Sequence, residues 1–163
     1  MKTLQTLEEI IESYDSLTEM DFAYIAGIID GEGSIRIFKQ PQAKTYSLTI
    51  GVANTSIELL EWLKSKLGGS FAMGRDGDDN HKPVYYWTLS SVPSEALLYR
   101  ISKYLVIKRD RAQTALMFRL TFEDFRGGYG GTRVSEENLK LREQCFQDLK
   151  KLNLRGPASE EGD

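Results

Sequence analysis

Apolar residues recur along this chain at two intervals, and the switches between them divide it into elements. Leu7, Ile10, Ile11 and Tyr14 stand at helical spacing behind Thr6-Leu7-Glu8-Glu9, which has the form of a capping box. A short amphipathic helix is predicted over 6–14, broken by Asp15 and Ser16. A second helix opens at Thr18-Glu19-Met20-Asp21, with acids in its first turn where the helix dipole favours anions. Its body, from Phe22 to Ile29, is apolar nearly all round and is expected to be buried on most sides. One chain of this size has few places to bury such a helix. Ala23 and Gly27 lie four apart and give it a face of small side chains, so self-association through that face is expected.

After Gly33 the period drops to two. Ile35 and Ile37 point one way, and Ser34, Arg36 and Phe38 the other. Beyond a turn containing Pro41, Tyr46, Leu48, Ile50 and Val52 alternate with Thr45, Ser47, Thr49 and Gly51. These two runs read as a long antiparallel hairpin with one apolar and one polar face. A helix over 56–67 follows, closed by Gly68-Gly69. A second hairpin joins Phe71 and Met73 to a returning strand around Tyr85, Tyr86, Trp87 and Leu89 through a long polar connection, 75–83, expected to be mobile. Helices are then predicted over 94–104 and 108–122. A glycine-rich loop occupies 125–132, and Ser135 caps a last helix that Gly156-Pro157 ends. Leu139, Phe146, Leu149 and Leu152 are its inward positions. The fold expected is α+β: a four-stranded antiparallel sheet backed by helices, with its second face uncovered. Residues 1–17 read as an N-terminal helical extension, 18–155 as a single domain and 156–163 as a disordered tail.

Composition narrows the function. No apolar run approaches the roughly 18–20 residues that span a bilayer, and the acidic start lacks the pattern of a signal peptide. A single cysteine, Cys145, excludes an internal disulfide and a cysteine-built zinc site. A soluble, intracellular protein with no membrane partner is expected, its compartment not distinguished. The net charge of −3 argues against a polyanion ligand until it is divided along the chain. Residues 1–34 balance at −7, whereas residues 35–75, the first hairpin and the helix after it, balance at +4.

The chemistry concentrates in Asp30-Gly31-Glu32-Gly33. Two carboxylates stand where the helix macrodipole is negative, a placement that costs about 0.3–1 kcal/mol each. A bound cation would account for them. The string Ile25-Ala26-Gly27-Ile28-Ile29-Asp30-Gly31-Glu32-Gly33, ending a helix just before a hairpin, resembles the motif of the LAGLIDADG homing endonucleases. The resemblance extends over about 20–122, through Leu63 to Gly69, Val84-Tyr85-Tyr86-Trp87 and Tyr104-Leu105-Val106-Ile107-Lys108-Arg109. The element order agrees with the αββαββα plan of that family. Phe125-Arg126-Gly127-Gly128-Tyr129-Gly130-Gly131 has neither the acid–glycine alternation nor a phosphate-loop pattern.

With one motif per chain, the resemblance implies a homodimer that meets through Ala23, Ala26, Gly27 and Asp30 and cleaves double-stranded DNA at a long, near-palindromic site. It implies Mg²⁺, with Mn²⁺ or Ca²⁺ able to take its place, held by Glu32 and the Gly31 carbonyl. Glu32, Lys108 and Asn54 become the catalytic candidates: the metal ligand, a stabiliser of developing charge and an organiser of water. Asp30 is read first as turn architecture. Glu58 falls where some relatives carry a basic residue. Outward alternation marks Arg36, Phe38, Gln40, Thr45, Ser47, Thr49, Tyr86 and Thr88 for the DNA face, since a two-stranded ribbon fits the major groove. Lys39, Lys44, Arg75, His81 and Lys82 lie in or beside the hairpin tips, where phosphate contacts belong. Two alternatives stay open at this point: a non-catalytic nucleic-acid binder of the same fold, such as a maturase for intron RNA, and a domain whose sheet face meets protein.

Overall fold

The computed structural model describes residues 7–42, 45–122 and 134–154. Helix α1 (Leu7–Ser13) leads to α2 (Glu19–Glu32), β1 (Gly33–Gln40) and β2 (Thr45–Asn54). Next come α3 (Ile57–Leu67), β3 (Ser70–Arg75) and β4 (Val84–Ser90). Helix α4 (Val92–Ile101) runs into a 3₁₀ turn, and α5 (Arg109–Leu120) and α6 (Glu136–Leu152) complete the described chain. The four strands form one antiparallel sheet in the order β1-β2-β4-β3. The stretches expected to be a glycine-rich loop and a disordered tail lie outside the described residues, as does Thr6 of the first capping box.

Local chemistry accounts for the element ends. Thr18 and Asp21 form a reciprocal capping box at the start of α2, each side chain taking the other's backbone N–H, at 2.8 and 3.2 Å. Ser56 and Ser135 cap α3 and α6. At the end of α3, Gly69 has φ +86° and lies so near β4 that a Cβ would sit 2.6 Å from the Thr88 carbonyl oxygen. Helix α4 begins two residues before the predicted 94, because Pro93 pre-sets the first turn and Ser91 precedes it with φ 60°. Helix α6 ends at Leu152, with Asn153 as its C-cap, four residues before Gly156.

One face of the sheet packs on helices. Ile35, Ile37, Leu48, Ile50, Val52, Trp87 and Leu89 are buried there, and the Trp87 indole N–H donates to the Gly68 carbonyl at 2.8 Å. The most deeply buried helix is α4, where Ser94, Glu95, Ala96, Leu97, Leu98 and Ile101 are buried and Tyr99 reaches solvent. Its Glu95 is paired with Arg119 of α5 at 2.9 Å. Helix α1 packs on α4 and adds Ile10 and Tyr14 to the same core. Arg100 ties the two together through the Ile11 carbonyl and the Asp15 carboxylate.

Helix α2, expected to be buried on most sides, is buried only through Phe22, Ile25, Ala26 and Ile29. No described helix is long and apolar enough to cross a membrane. The turn from α2 into β1 is tight enough that a Cβ on Gly33 would lie 2.6 Å from the Ile29 Cα. Gly33→Ala is therefore expected to destabilise the fold by about 1–3 kcal/mol in urea denaturation; an unchanged midpoint would mean that the turn can relax.

Candidate nucleic-acid and metal site

Three features meet where α2 passes into β1. The first is a lock between α2 and the segment before α5. The Asp30 carboxylate accepts the backbone N–H of Val106 at 2.7 Å and of Lys108 at 2.9 Å. In return the Lys108 ammonium donates to the carbonyls of Ile29 and Asp30, at 2.8 and 2.5 Å. A carboxylate thus satisfies amides ahead of α5, while an ammonium caps carbonyls at the negative end of α2. The cation that the misplaced acids call for is, in part, Lys108 itself.

Burial alone would raise the Asp30 carboxyl, but the amides of Val106, Lys108 and Ile107, with the Lys108 charge, hold it below its ordinary 3.8. Burial pulls the Lys108 ammonium below the usual lysine range; the charges of Asp30 and Glu32 act the other way, and Arg111 adds to the lowering.

The second feature is the open side of α2. Met20, Ala23, Tyr24, Gly27 and Gly31 fall on one helical stripe and are all exposed, Met20 at 80 % and Tyr24 at 56 %. A Cβ added at Gly27 or Gly31 would meet nothing within 4 Å. Neither glycine is required by packing within this chain. Ala26 is a correction: it is fully buried in the chain's own core and is absent from the stripe. Asp30 is half-buried and spent on the lock. Val106 and Ile107 project beside it, 79 and 67 % exposed. Glu32 is exposed at the end of the stripe, and among the described residues no group of three or more His, Cys, Asp or Glu is arranged to hold a metal ion.

The third feature is the uncovered sheet face, which starts one residue later. Register pairs Arg36 with Thr49, Phe38 with Ser47 and Gln40 with Thr45. Across β2 and β4 it continues through Gly51 opposite Thr88 and Ala53 opposite Tyr86. Small and hydroxylated residues dominate, so Phe38 and Tyr86 stand out, 50 and 46 % exposed. Tyr86 lies across Gly74, where a Cβ would fall 1.7 Å from a carbon of its ring. The eight residues chosen by alternation all share this face, because the register slips neither between β1 and β2 nor between β2 and β4.

The hairpin-tip assignments divide. Lys39 faces the helices and not the open face: its ammonium pairs with Glu143 of α6 at 2.6 Å, which corrects its assignment to DNA. Lys44 lies outside the described residues. Arg75, His81 and Lys82 are exposed. The connection expected to be mobile is built around Asp78, whose carboxylate takes the N–H groups of Asn80 and His81 at 2.8 Å and faces the His81 ring at 2.9 Å. Asp76, Asp78 and Asp79 there outnumber Arg75 and Lys82, which opposes phosphate contact. Asn54 ends β2 opposite Tyr85, and its side-chain oxygen accepts the Ser56 N–H at 2.8 Å. That fixes the entry to α3. Glu58 is exposed in the first turn of α3, its side chain bonded to the Ser56 hydroxyl at 2.9 Å.

No protein-family model and no characterised sequence matches the chain. Solved structures do. The archaeal intron-encoded homing endonuclease I-Vdi141I, complexed with DNA, aligns with 89 % of this chain and 90 % of its own at 18 % identity and a TM-score of 0.67. The chain has the LAGLIDADG homing endonuclease fold. I-CvuI, solved with its DNA target in the presence of calcium, aligns over 82 % of this chain and 95 % of its own, at 18 % identity and a TM-score of 0.55. I-SmaMI, a LAGLIDADG endonuclease bound to cleaved DNA, gives a TM-score of 0.63 at 18 % identity, with 82 % of this chain but only 45 % of I-SmaMI covered. At such identities the likeness establishes the fold, and the site's chemistry has to be argued from its residues.

The lock carries a pH dependence of known sign. Asp30 has a folded pKa below its unfolded one, so its stabilisation is complete above the ordinary aspartate range and is lost as pH falls through the folded value. Asp30→Ala is expected to cost about 1–3 kcal/mol at pH 7 by removing two charge-assisted hydrogen bonds. The gap between wild type and variant should narrow on acidification, as followed by urea denaturation from pH 7 to 3; a gap independent of pH would contradict the lock.

Proposed function

We propose that two copies of this chain form a sequence-specific, divalent-metal-dependent DNA endonuclease of the LAGLIDADG homing type. The observation that carries the reading is the course of α2. Its exposed stripe of glycine and alanine runs up to Glu32, and the next residue begins an uncovered antiparallel sheet. A second copy laid along Gly27 and Gly31 brings two Glu32 side chains to one axis with a sheet face on either side. A two-fold protein of this shape suits a long, near-palindromic duplex. The DNA complexes of I-Vdi141I and I-CvuI lend support, since their chains share this arrangement of strands and helices.

Glu32 and the Gly31 carbonyl supply oxygen donors only, in keeping with Mg²⁺, and with Mn²⁺ or Ca²⁺ in its place. One carboxylate is too few for a cage, and Asp30 is committed to the lock. The residues present would therefore fit a cation only if further oxygen donors came from outside this chain. Glu32 and the Gly31 carbonyl would hold such an ion, and the chemistry it would supply is activation of water and neutralisation of charge at a phosphate. Lys108 holds the end of α2 in place beside Glu32 and adds positive potential where a phosphate would enter. Arg36 is the one formal charge among the outward candidates, so base-edge and hydroxyl contacts from Gln40, Thr45, Ser47 and Thr49 take a large share of recognition. Binding of intron RNA without cleavage of DNA is the second reading.

Selection from a randomised duplex library, with binding and cutting scored separately, tests the assignment. Glu32→Gln should bind the selected duplex and lose cutting by a factor of at least about 100; undiminished cutting removes Glu32 as the metal ligand. Gly27→Leu should leave each chain folded, because space at Gly27 is open, while sedimentation shows a monomer that no longer cuts. A variant that stays dimeric would dissociate the small-residue stripe from assembly.

A further inference from the structure

The β1–β2 hairpin carries the outer part of the uncovered face, and α6 grips it from behind at two points. Near the tip, Lys39 and Tyr46 stand opposite each other and both turn toward α6. One carboxylate holds them. Glu143 Oε2 accepts from the Lys39 ammonium at 2.6 Å and from the Tyr46 hydroxyl, and Glu143 Oε1 accepts from Gln147 Nε2 at 2.9 Å. The Lys39 ammonium also sits 5.6 Å from the Tyr46 ring centre and 6.0 Å from that of Phe146. At the base, the Asn153 side-chain amide donates to the Ile35 carbonyl at 2.9 Å. Its oxygen accepts from Arg111 of α5, also at 2.9 Å.

We propose that α6 is a brace that sets where the β1–β2 ribbon lies over DNA, with Glu143 as the positioning residue and Lys39 and Tyr46 as the groups it holds. The inference rests on the reading of the sheet as a DNA-binding face. A two-stranded ribbon has little stability of its own. Phe38, Gln40, Thr45 and Ser47 belong to the opposite face, one residue along from the clamp on either strand. Their position over a base pair therefore follows from the position of Lys39 and Tyr46. Apolar packing against Phe146 is non-directional, whereas the two hairpin bonds to Glu143 Oε2, with Oε1 held by Gln147 of the same helix, fix direction and distance. Bonds from Lys39, Tyr46 and Gln147 hold the Glu143 carboxyl at about 2, so the clamp stays ionised at any ordinary working pH. Pairing has a second effect. A free lysine near the ribbon tip would bind phosphate whatever the sequence; with Glu143 beside it, Lys39 contributes little of that indiscriminate attraction.

Glu143→Gln keeps the shape and removes the charge. In the full-length protein without DNA, amide exchange over 37–47 should quicken while that of α4 stays unchanged. On the duplex selected by the wild type, discrimination at the outermost base pairs should fall about tenfold while that near the centre is retained. The salt dependence of binding should steepen by about one ion as Lys39 is released. Adding Lys39→Met to Glu143→Gln should restore the salt slope but not the discrimination. Affinity lost equally at all positions with an unchanged slope, or an unaltered profile, overturns the brace. A wild-type chain that selects no duplex removes the DNA reading instead, and the exchange comparison then decides alone whether Glu143 holds the hairpin.

Discussion

The end of α2 is held by two opposite charges acting on opposite backbone groups. Asp30 takes the amides that precede α5, and Lys108 takes the carbonyls that α2 leaves free. Charge-assisted bonds of this kind are roughly twice as strong as neutral ones, and here both members lie partly out of water. The consequence reaches past the pair. The lock fixes the last turn of α2, and with it the Gly33 turn and the direction in which β1 leaves. It also fixes the first turn of α5, for which Lys108 is the N-cap residue. Of the two acids in the motif, one is consumed in joining three elements, and Glu32 is left at an exposed end.

Around that junction the chain divides its labour between two sides. The buried side is dense: most of α4 is buried and the sheet's inner face carries Ile, Leu, Val and Trp. The outer face carries hydroxyls, glycines and alanines, with single large groups at Arg36, Phe38 and Tyr86. Such a surface has little apolar area with which to hold a protein partner, and it has the flat breadth and hydrogen-bonding groups that a groove of duplex DNA meets. The α2 stripe differs again, being apolar, small in profile and open.

Much of this was legible from period alone. The change from helical spacing to alternation at Gly33 located the turn, and burial of alternate residues assigned the faces of β1 and β2 correctly, because one buried face pins register. Local signals placed the caps at Thr18, Ser56 and Ser135. Contacts between distant residues were illegible. Lys39 looked like a free tip lysine because Glu143 lies 104 residues away in sequence, and the bonds of Lys108 to the Ile29 and Asp30 carbonyls leave no mark in a sequence. Ala26 was grouped with Ala23 and Gly27 by size, although it stands one residue, about 100° of helix, from Gly27 and faces the core. The start of α4 was misplaced because Ser91 adopts a positive φ that few serines take.

The central claim is that Glu32 forms a metal-dependent phosphodiesterase centre once two chains meet on DNA. It is tested most directly by incubating the wild-type protein with its selected duplex in Mg²⁺ and in chelator, and by determining the number of chains per duplex under both conditions. The account predicts two chains per duplex in either case, with both strands cut in Mg²⁺ and neither in chelator. Cutting that survives the chelator, or one chain per cut duplex, would contradict it.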